Sequence, residues 1–194
     1  MSTEPIRLAL IIGSTREGRF GPTVARWFLN QAKQRDDFEV DVVDLAEHDL
    51  PTVITTQPTP EGGKALGEVM PRIEAADAFV IVTPEYNHSF PASLKNAIDW
   101  HSTQWHAKPV GFVSYGGLSG GLRAVEALRL VFAELHAATV RATVSFHGAW
   151  EQFGPDGEPI DPEGCNTAAK YMLDQLGWWA TTLREGRERR PYVS

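Results

Sequence analysis

Hydroxyl and guanidinium groups are concentrated in one short stretch, GSTREGRFGPT, which directly follows an apolar segment near the start of the chain. Ser14 and Thr15 supply hydroxyl donors, while Arg16 and Arg19 supply charge and forked donors that match phosphate oxygens. A helix is predicted to begin just after them, and the first N–H groups of a helix attract anions. The stretch therefore has the chemistry of a site for a terminal phosphate.

Other interpretations of this first turn are weaker or remain open. Its glycines do not form G-x-G-x-x-G and no G-K-[ST] follows, so neither a dinucleotide loop nor a P-loop is indicated. Asp44, at the end of the second apolar run, is expected to be an ordinary surface-loop residue. An ordinary polar loop remains the alternative for the turn as a whole.

A second chemically specific segment is TPEYNHSFPASLKNAIDW, which follows the third apolar run. Pro84 is expected to end a strand, and Glu85 to His88 to form an exposed turn whose N–H groups have no obvious internal partner. A flat heterocycle with polar edges, such as isoalloxazine, could accept hydrogen bonds from the backbone of Glu85, Tyr86 and Asn87. Tyr86 and Pro84 would flank it. The alternative is a simple strand-to-helix loop.

The third segment of interest is SYGG, residues 114–117, followed by Gly120 and Gly121. Glycines let a backbone approach a flat ligand closely, although a flexible loop chosen only for turn geometry would look the same. Ser114 and Ser119 lack the G-x-S-x-G pattern of α/β-hydrolases.

These segments need a scaffold, and apolar runs of strand length alternate with helical periodicity along the whole chain. The predicted strands are Arg7 to Ile12, Glu39 to Val43, Ala78 to Thr83, Pro109 to Tyr115 and Val140 to Phe146. Alternation of this kind predicts a single α/β domain with a parallel sheet and helices on both faces. Ligands bind such sheets beyond the carboxyl ends of the strands.

Some segments fit the alternation less well. Leu45 to Gly63 is rich in Pro and Thr, and Pro71 should kink or divide the second helix. Gly148 to Gly164 is expected to be a surface loop. The basic cluster Arg184 to Arg190 is interpreted as a solvated helix end.

Composition excludes several classes of function. A net charge of −7 argues against nucleic-acid binding. Cys165 is the only cysteine, and we interpret it as a bystander thiol. No apolar stretch is long enough to span a membrane and no signal peptide is evident, so a cytoplasmic location is expected. No metal site is expected, because the histidines lack ligand spacing and acidic support. These histidines are His88, His101, His106 and His147.

Taken together, the three segments resemble the NADPH-dependent FMN reductases, a family with a flavodoxin-like fold that includes quinone, azo-dye and chromate reductases. The resemblance rests on GSTREGR, TPEYNHSFPASLKNAIDW and SYGGLSGGLRAVEALR, in this order, and it covers nearly the whole chain. It implies a five-stranded sheet in the order 2-1-3-4-5 and one FMN-binding domain over residues 1–194. The implied phosphate-binding residues are Ser14, Arg16, Arg19, Gly21, Pro22 and Thr23. The implied ring-binding residues are Pro84, Glu85, Tyr86, Asn87, Ser114, Tyr115, Gly116 and Gly117.

Gly21 is also predicted to be the N-cap of the first helix, with Pro22 at its first position. The resemblance implies an oxidoreductase that passes electrons from NADPH or NADH through FMN to a small acceptor. If FMN is bound, its open face must admit the nucleotide and then the acceptor in turn, which predicts ping-pong kinetics. A homodimer or dimer of dimers is implied, with Lys95 to Trp100 facing the partner. The alternatives are a flavin-binding electron carrier or redox-sensing module without catalytic activity, and an NAD(P)-binding protein without flavin.

Overall fold

The computed structural model describes residues 4–193, which form a five-stranded parallel sheet in the order β2-β1-β3-β4-β5. This is the order that the family resemblance implies, and the prediction is confirmed. The strands are β1 (Ile6–Ile12), β2 (Phe38–Asp44), β3 (Ala78–Pro84), β4 (Pro109–Gly116) and β5 (Ala138–His147). The helices are α1 (Gly21–Ala32), α2 (Pro60–Ala75), α3 (Ala92–Asp99), α4 (Leu122–Glu134) and α5 (Pro162–Arg189).

Helices cover both faces of the sheet, as the continuous apolar runs of the central strands require. Alternate side chains of β1 divide between the faces: Leu8 and Leu10 pack with α1 and α5, whereas Ala9 and Ile11 pack with α2, α3 and α4. All seven residues of β3 are buried. The sheet is therefore a rigid platform whose carboxyl edge is the place open to ligands.

The prediction that Pro71 divides the second helix is wrong in that α2 continues from Pro60 to Ala75. Pro71 lies on the exposed side of α2. The carbonyl that it leaves without a donor belongs to Gly67, which is also exposed and can bond water. The helix begins inside the Pro- and Thr-rich segment Leu45 to Gly63, where the N-cap residue Thr59 accepts a hydrogen bond from the Gly62 N–H.

The connection before α5 is a loop, as expected, but it is held to the core. Phe153 lies 5.3 Å from Phe20 and 4.9 Å from Phe146, measured between ring centroids. Residues 149–151 form a single 3₁₀ turn, and Phe153 bridges to Pro159. The loop thus packs beside the start of α1.

The basic end of α5 is not simply solvated, which corrects the sequence interpretation. Arg184 donates to the Pro5 carbonyl and pairs with Asp77 at 3.3 Å. Arg187 donates to the Ala107 carbonyl and also pairs with Asp77. These arginines fasten α5 to the amino end of the sheet. Among residues 4–193, no helix combines the length and the hydropathy needed to cross a bilayer.

Candidate functional site

The three chemically specific segments meet at the carboxyl edge of adjacent strands. The Gly13 N–H donates to the Val82 carbonyl at 2.9 Å, and the Glu85 N–H donates to the Tyr115 carbonyl at 3.1 Å. The Tyr115 hydroxyl donates to Ser14 Oγ at 3.1 Å. The turns after β1, β3 and β4 therefore form one continuous surface.

The turn after β1 presents a run of unsatisfied donors. Within the described part of the chain, the backbone N–H groups of residues 14–18 make no hydrogen bond. The Arg16 side chain is exposed and has no partner there either. Consecutive free N–H groups next to a helix start and a free guanidinium fit a bound phosphate.

Arg19 is occupied elsewhere, unlike Arg16. Its Nη1 and Nη2 donate to the Asp44 carboxylate at 2.5 and 2.7 Å, and Nη1 also donates to the Ser14 carbonyl at 3.0 Å. This hydrogen bonding to Asp44 raises the pKa of Arg19 above its ordinary value. In this arrangement Arg19 is not a free phosphate ligand and instead holds the β1 turn against the end of β2.

Asp44 is correspondingly not the surface-loop residue that the sequence suggested. Asp44 is buried, and its carboxylate also accepts a hydrogen bond from the Ala46 N–H. Asp44 is thereby the N-cap of the 3₁₀ turn Leu45–Glu47. The pair with Arg19 thus joins two turns that lie side by side at the carboxyl edge. Sequence reasoning missed this because the two residues are 25 positions apart.

The start of α1 differs by one position from the prediction. Phe20 is the N-cap, Gly21 is the first helical residue and Pro22 follows, so the N-cap assignment to Gly21 is wrong. A Cβ on Gly21 would lie 2.6 Å from Ser14 Oγ and 2.9 Å from the Tyr115 hydroxyl. Gly21 is therefore required for close packing of α1 on β1 and β4. Thr23, in the same first turn of α1, is half-buried.

The turn after β3 is tight and partly self-satisfied. Tyr86 and Ser89 exchange backbone hydrogen bonds at 2.8 and 3.0 Å, and the two residues between them have positive φ values, 48° for Asn87 and 72° for His88. The expectation that this turn lacks internal partners is wrong for Glu85 and Tyr86, whose N–H groups are bonded. Within residues 4–193, the N–H groups of Asn87 and His88 are unbonded and remain available to a ligand.

The Glu85 side chain has a role that the sequence did not reveal. Its carboxylate accepts from Ser119 Oγ at 2.5 Å and from the Arg123 N–H at 3.2 Å, and it pairs with the Arg123 guanidinium. Burial opposes ionisation of Glu85, but these hydrogen bonds outweigh it and lower its pKa. Because the N-cap of α4 is Gly121, which has no side chain, Glu85 caps that helix from another turn.

The turn after β4 contains buried residues that pack in the protein and a glycine that is open to solvent. Ser114 and Tyr115 are buried, with Ser114 Oγ donating to the Gly120 carbonyl at 2.8 Å and burial raising the pKa of Tyr115. Their side chains serve packing, so a ligand could meet only their backbone. A Cβ on Gly117 would instead meet nothing nearer than Trp150, at 4.0 Å. The open side of Gly117 leaves room for a flat ligand.

The donor set fits FMN. A phosphate matches the free N–H groups of residues 14–18 with Arg16, and a polar-edged ring matches the free N–H groups of Asn87 and His88 beside Gly117. A cleft of about 540 Å³ adjoins the β1 turn at Thr15. It is lined by Thr15, by the connection after β2 and by the first turns of α3.

This fold and this donor edge define a flavodoxin-like α/β protein. A solved structure of a flavoenzyme, an NAD(P)H:(acceptor) oxidoreductase from Paracoccus denitrificans, superposes with a TM-score of 0.67. It is 24% identical, and the alignment covers 91% of this chain and 98% of that one. At this identity the likeness establishes the fold.

Sequence comparison establishes the family. The pattern that describes NADPH-dependent FMN reductases matches residues 6–151. A probable NADPH:quinone oxidoreductase from Oryza sativa subsp. japonica is 33% identical, with 94% of each chain covered. An NAD(P)H-dependent FMN reductase from Schizosaccharomyces pombe is 39% identical over 125 residues, which are 59% of this chain and 60% of that relative. The chain belongs to the NADPH-dependent FMN reductase family.

Proposed function

We propose that this chain, as a single domain, binds FMN across the turns after β1, β3 and β4. It transfers electrons from NADPH or NADH to a small acceptor such as a quinone, a free flavin or an azo compound. The family relationship supports this activity. The observation that carries it is the run of unbonded N–H groups at residues 14–18 beside the free Arg16 side chain.

The binding roles follow from which groups are free. Arg16 and the backbone of residues 14–18 would hold the phosphate, with Thr23 and the first turn of α1 beside it. The backbone at Asn87 would hold the polar edge of the ring, with Pro84 and Tyr86 flanking it. Gly116 and Gly117 would lie against the ring. FMN, when bound, supplies a hydride acceptor and an electron donor in one ring system.

The remaining residues position these donors. Arg19 and Asp44 fix the β1 turn, and Glu85 ties the β3 turn to Ser119 and the start of α4. Preorganised donors need no rearrangement when negative charge develops nearby, which favours electron uptake at this edge. One open face must admit the nucleotide and then the acceptor, so we expect ping-pong kinetics.

A cytoplasmic homodimer, or dimer of dimers, is part of the same proposal. Near the site, Leu118 and Trp150 are 93% and 61% exposed, and Leu122, the first residue of α4, is also exposed. Exposed apolar groups at a site mouth suit either an aromatic acceptor or a second protomer. The α3 segment Lys95 to Trp100 is the other candidate contact.

The test begins with protein freed of flavin. Calorimetric titration with FMN should give one site per chain, and NADPH or NADH added without oxygen should bleach the visible flavin band, which a quinone should then restore. Initial rates at varied quinone concentration should give parallel double-reciprocal lines. Absence of FMN binding would overturn the proposal. A band that neither nucleotide bleaches would support the electron-carrier alternative.

A further inference from the structure

His88 stands at the tip of the β3 turn in a conformation that costs free energy. Its φ of 72° follows the φ of 48° at Asn87, and two consecutive positive φ values usually call for Asn and Gly. Outside glycine this conformation costs on the order of 1 kcal/mol. The His88 side chain is exposed, so packing does not explain why an imidazole is held there. Because packing does not offset this strain, the role of His88 must be sought in the contacts of its imidazole.

The contact of His88 fixes which ring nitrogen carries the proton. Arg123 Nη1 lies 3.0 Å from His88 Nδ1. A guanidinium can only donate, so Nδ1 must accept and the neutral imidazole carries its hydrogen on Nε2. Arg123 is itself held by the Glu85 carboxylate, which is only 5% exposed. The Arg123 side chain is 44% exposed, and the chain of contacts from Glu85 through Arg123 to His88 orients an N–H donor at the rim of the site.

We propose that Nε2–H of His88 donates a hydrogen bond to the carbonyl oxygen of a quinone acceptor and makes His88 a specificity-determining residue. This inference rests on the proposed function. The oxygen of a quinone gains negative charge as it is reduced, and a preorganised donor backed by a guanidinium stabilises that charge. Reduced FMN would supply the two electrons and one proton as a hydride, and would return to its oxidised form. The second proton of the hydroquinone comes from water, and His88 keeps its own proton throughout.

The kinetic test separates the two half-reactions. FMN-loaded protein is reduced with NADPH in one stopped-flow experiment, and the reduced protein is mixed with benzoquinone or ferricyanide in others. His88→Phe should slow oxidation of the reduced protein by the quinone about tenfold, which corresponds to the loss of one hydrogen bond to a developing charge. Ferricyanide, a one-electron acceptor without a carbonyl oxygen, should react at an unchanged rate. His88→Gln, which retains a donor, should recover part of the loss.

His136 supplies a matched control. It is also an exposed histidine with positive φ, 57°, and its Nδ1 contacts the Tyr192 hydroxyl, but it lies in the turn before β5, at the opposite end of the sheet. His136→Phe should leave both half-reactions unchanged. If His88→Phe slows reduction by NADPH instead, the residue binds the nucleotide and the proposal is overturned. Equal quinone rates in the variant and the unmodified protein would overturn it as well.

A second measurement does not depend on turnover. Nitrogen-15 NMR of the imidazoles, with and without FMN, should show His88 protonated at Nε2 in its neutral form, and Arg123→Met should give a mixture of tautomers. A neutral ring protonated at Nδ1 in the unmodified protein would overturn the inference. If NADPH fails to bleach the flavin band of the unmodified protein, the proposed function itself fails, while the NMR result shows separately whether His88 is held as a donor.

Discussion

The two ends of the sheet carry the same types of charged residue and use them differently. At the amino end, Lys108, Arg184 and Arg187 all donate to backbone carbonyls of the protein, and both arginines also pair with Asp77. At the carboxyl end, the backbone N–H groups of residues 14–18 and the Arg16 side chain have no partner in the described chain. Residue type therefore does not distinguish structure from function here, whereas the presence of an internal partner does.

Arg19 is the exception that tests this comparison most strongly, because it lies at the carboxyl end and yet is paired. Asp44→Asn removes the charge partner of a pair whose side chains are only 18% and 12% exposed. We expect a loss of about 3 kcal/mol in the free energy of unfolding, because an uncompensated charge remains in a buried position. FMN affinity should fall as well, since the β1 turn loses its anchor. Chemical denaturation and FMN titration measure the two effects.

Asp41 offers the matched control for Asp44. It also lies on β2 and forms a forked pair with an arginine, Arg72, but their side chains are 50% and 30% exposed. Asp41→Asn should therefore cost less than about 1 kcal/mol and leave FMN affinity unchanged. Tighter FMN binding by Asp44→Asn would show that the released Arg19 is a phosphate ligand, as the sequence alone suggested.

The strands and the parallel α/β class were predictable because their signals are local, whereas the strand order came from the family resemblance. The five apolar runs place every strand to within about two residues. The roles of Arg19 and Glu85 were not predictable, because each depends on a partner brought close only by folding. Arg123 lies 38 positions after Glu85. The prediction for Pro71 was wrong for a related reason. Whether a helix tolerates an internal proline depends on which side of the helix faces water, and folding decides that.

The amino end of the sheet can be tested through the titration of Lys108. Its Nζ donates to the Ile73 and Glu74 carbonyls at the end of α2, and burial lowers its pKa to about 8. The unfolded chain, with an ordinary lysine pKa, holds more protons than the folded protein between about pH 8 and 10.5. The contribution of Lys108 to the free energy of unfolding must therefore rise with pH across that window.

Lys108→Met abolishes this titration while keeping an apolar side chain of similar length. Between about pH 7 and 9.5, the stability of the unmodified protein relative to the variant should increase by about 2 kcal/mol. The lost hydrogen bonds to α2 add a cost that does not vary with pH, so the slope rather than the offset is diagnostic. Free energies of unfolding from urea titrations at several pH values supply the measurement. Parallel pH profiles would mean that Lys108 is not buried as a charged group.

Arg16 and Arg7 are both exposed, and neither guanidinium group has a partner among the described residues. Arg7 lies at the amino end of β1 and Arg16 in the turn at its carboxyl end. Arg16→Ala should weaken FMN binding about tenfold, by loss of charge-assisted hydrogen bonds to phosphate, and leave riboflavin binding unchanged. Arg7→Ala should change neither. A free guanidinium becomes a binding group only beside unbonded N–H groups, and equal FMN affinities for the two variants would refute that rule for this protein.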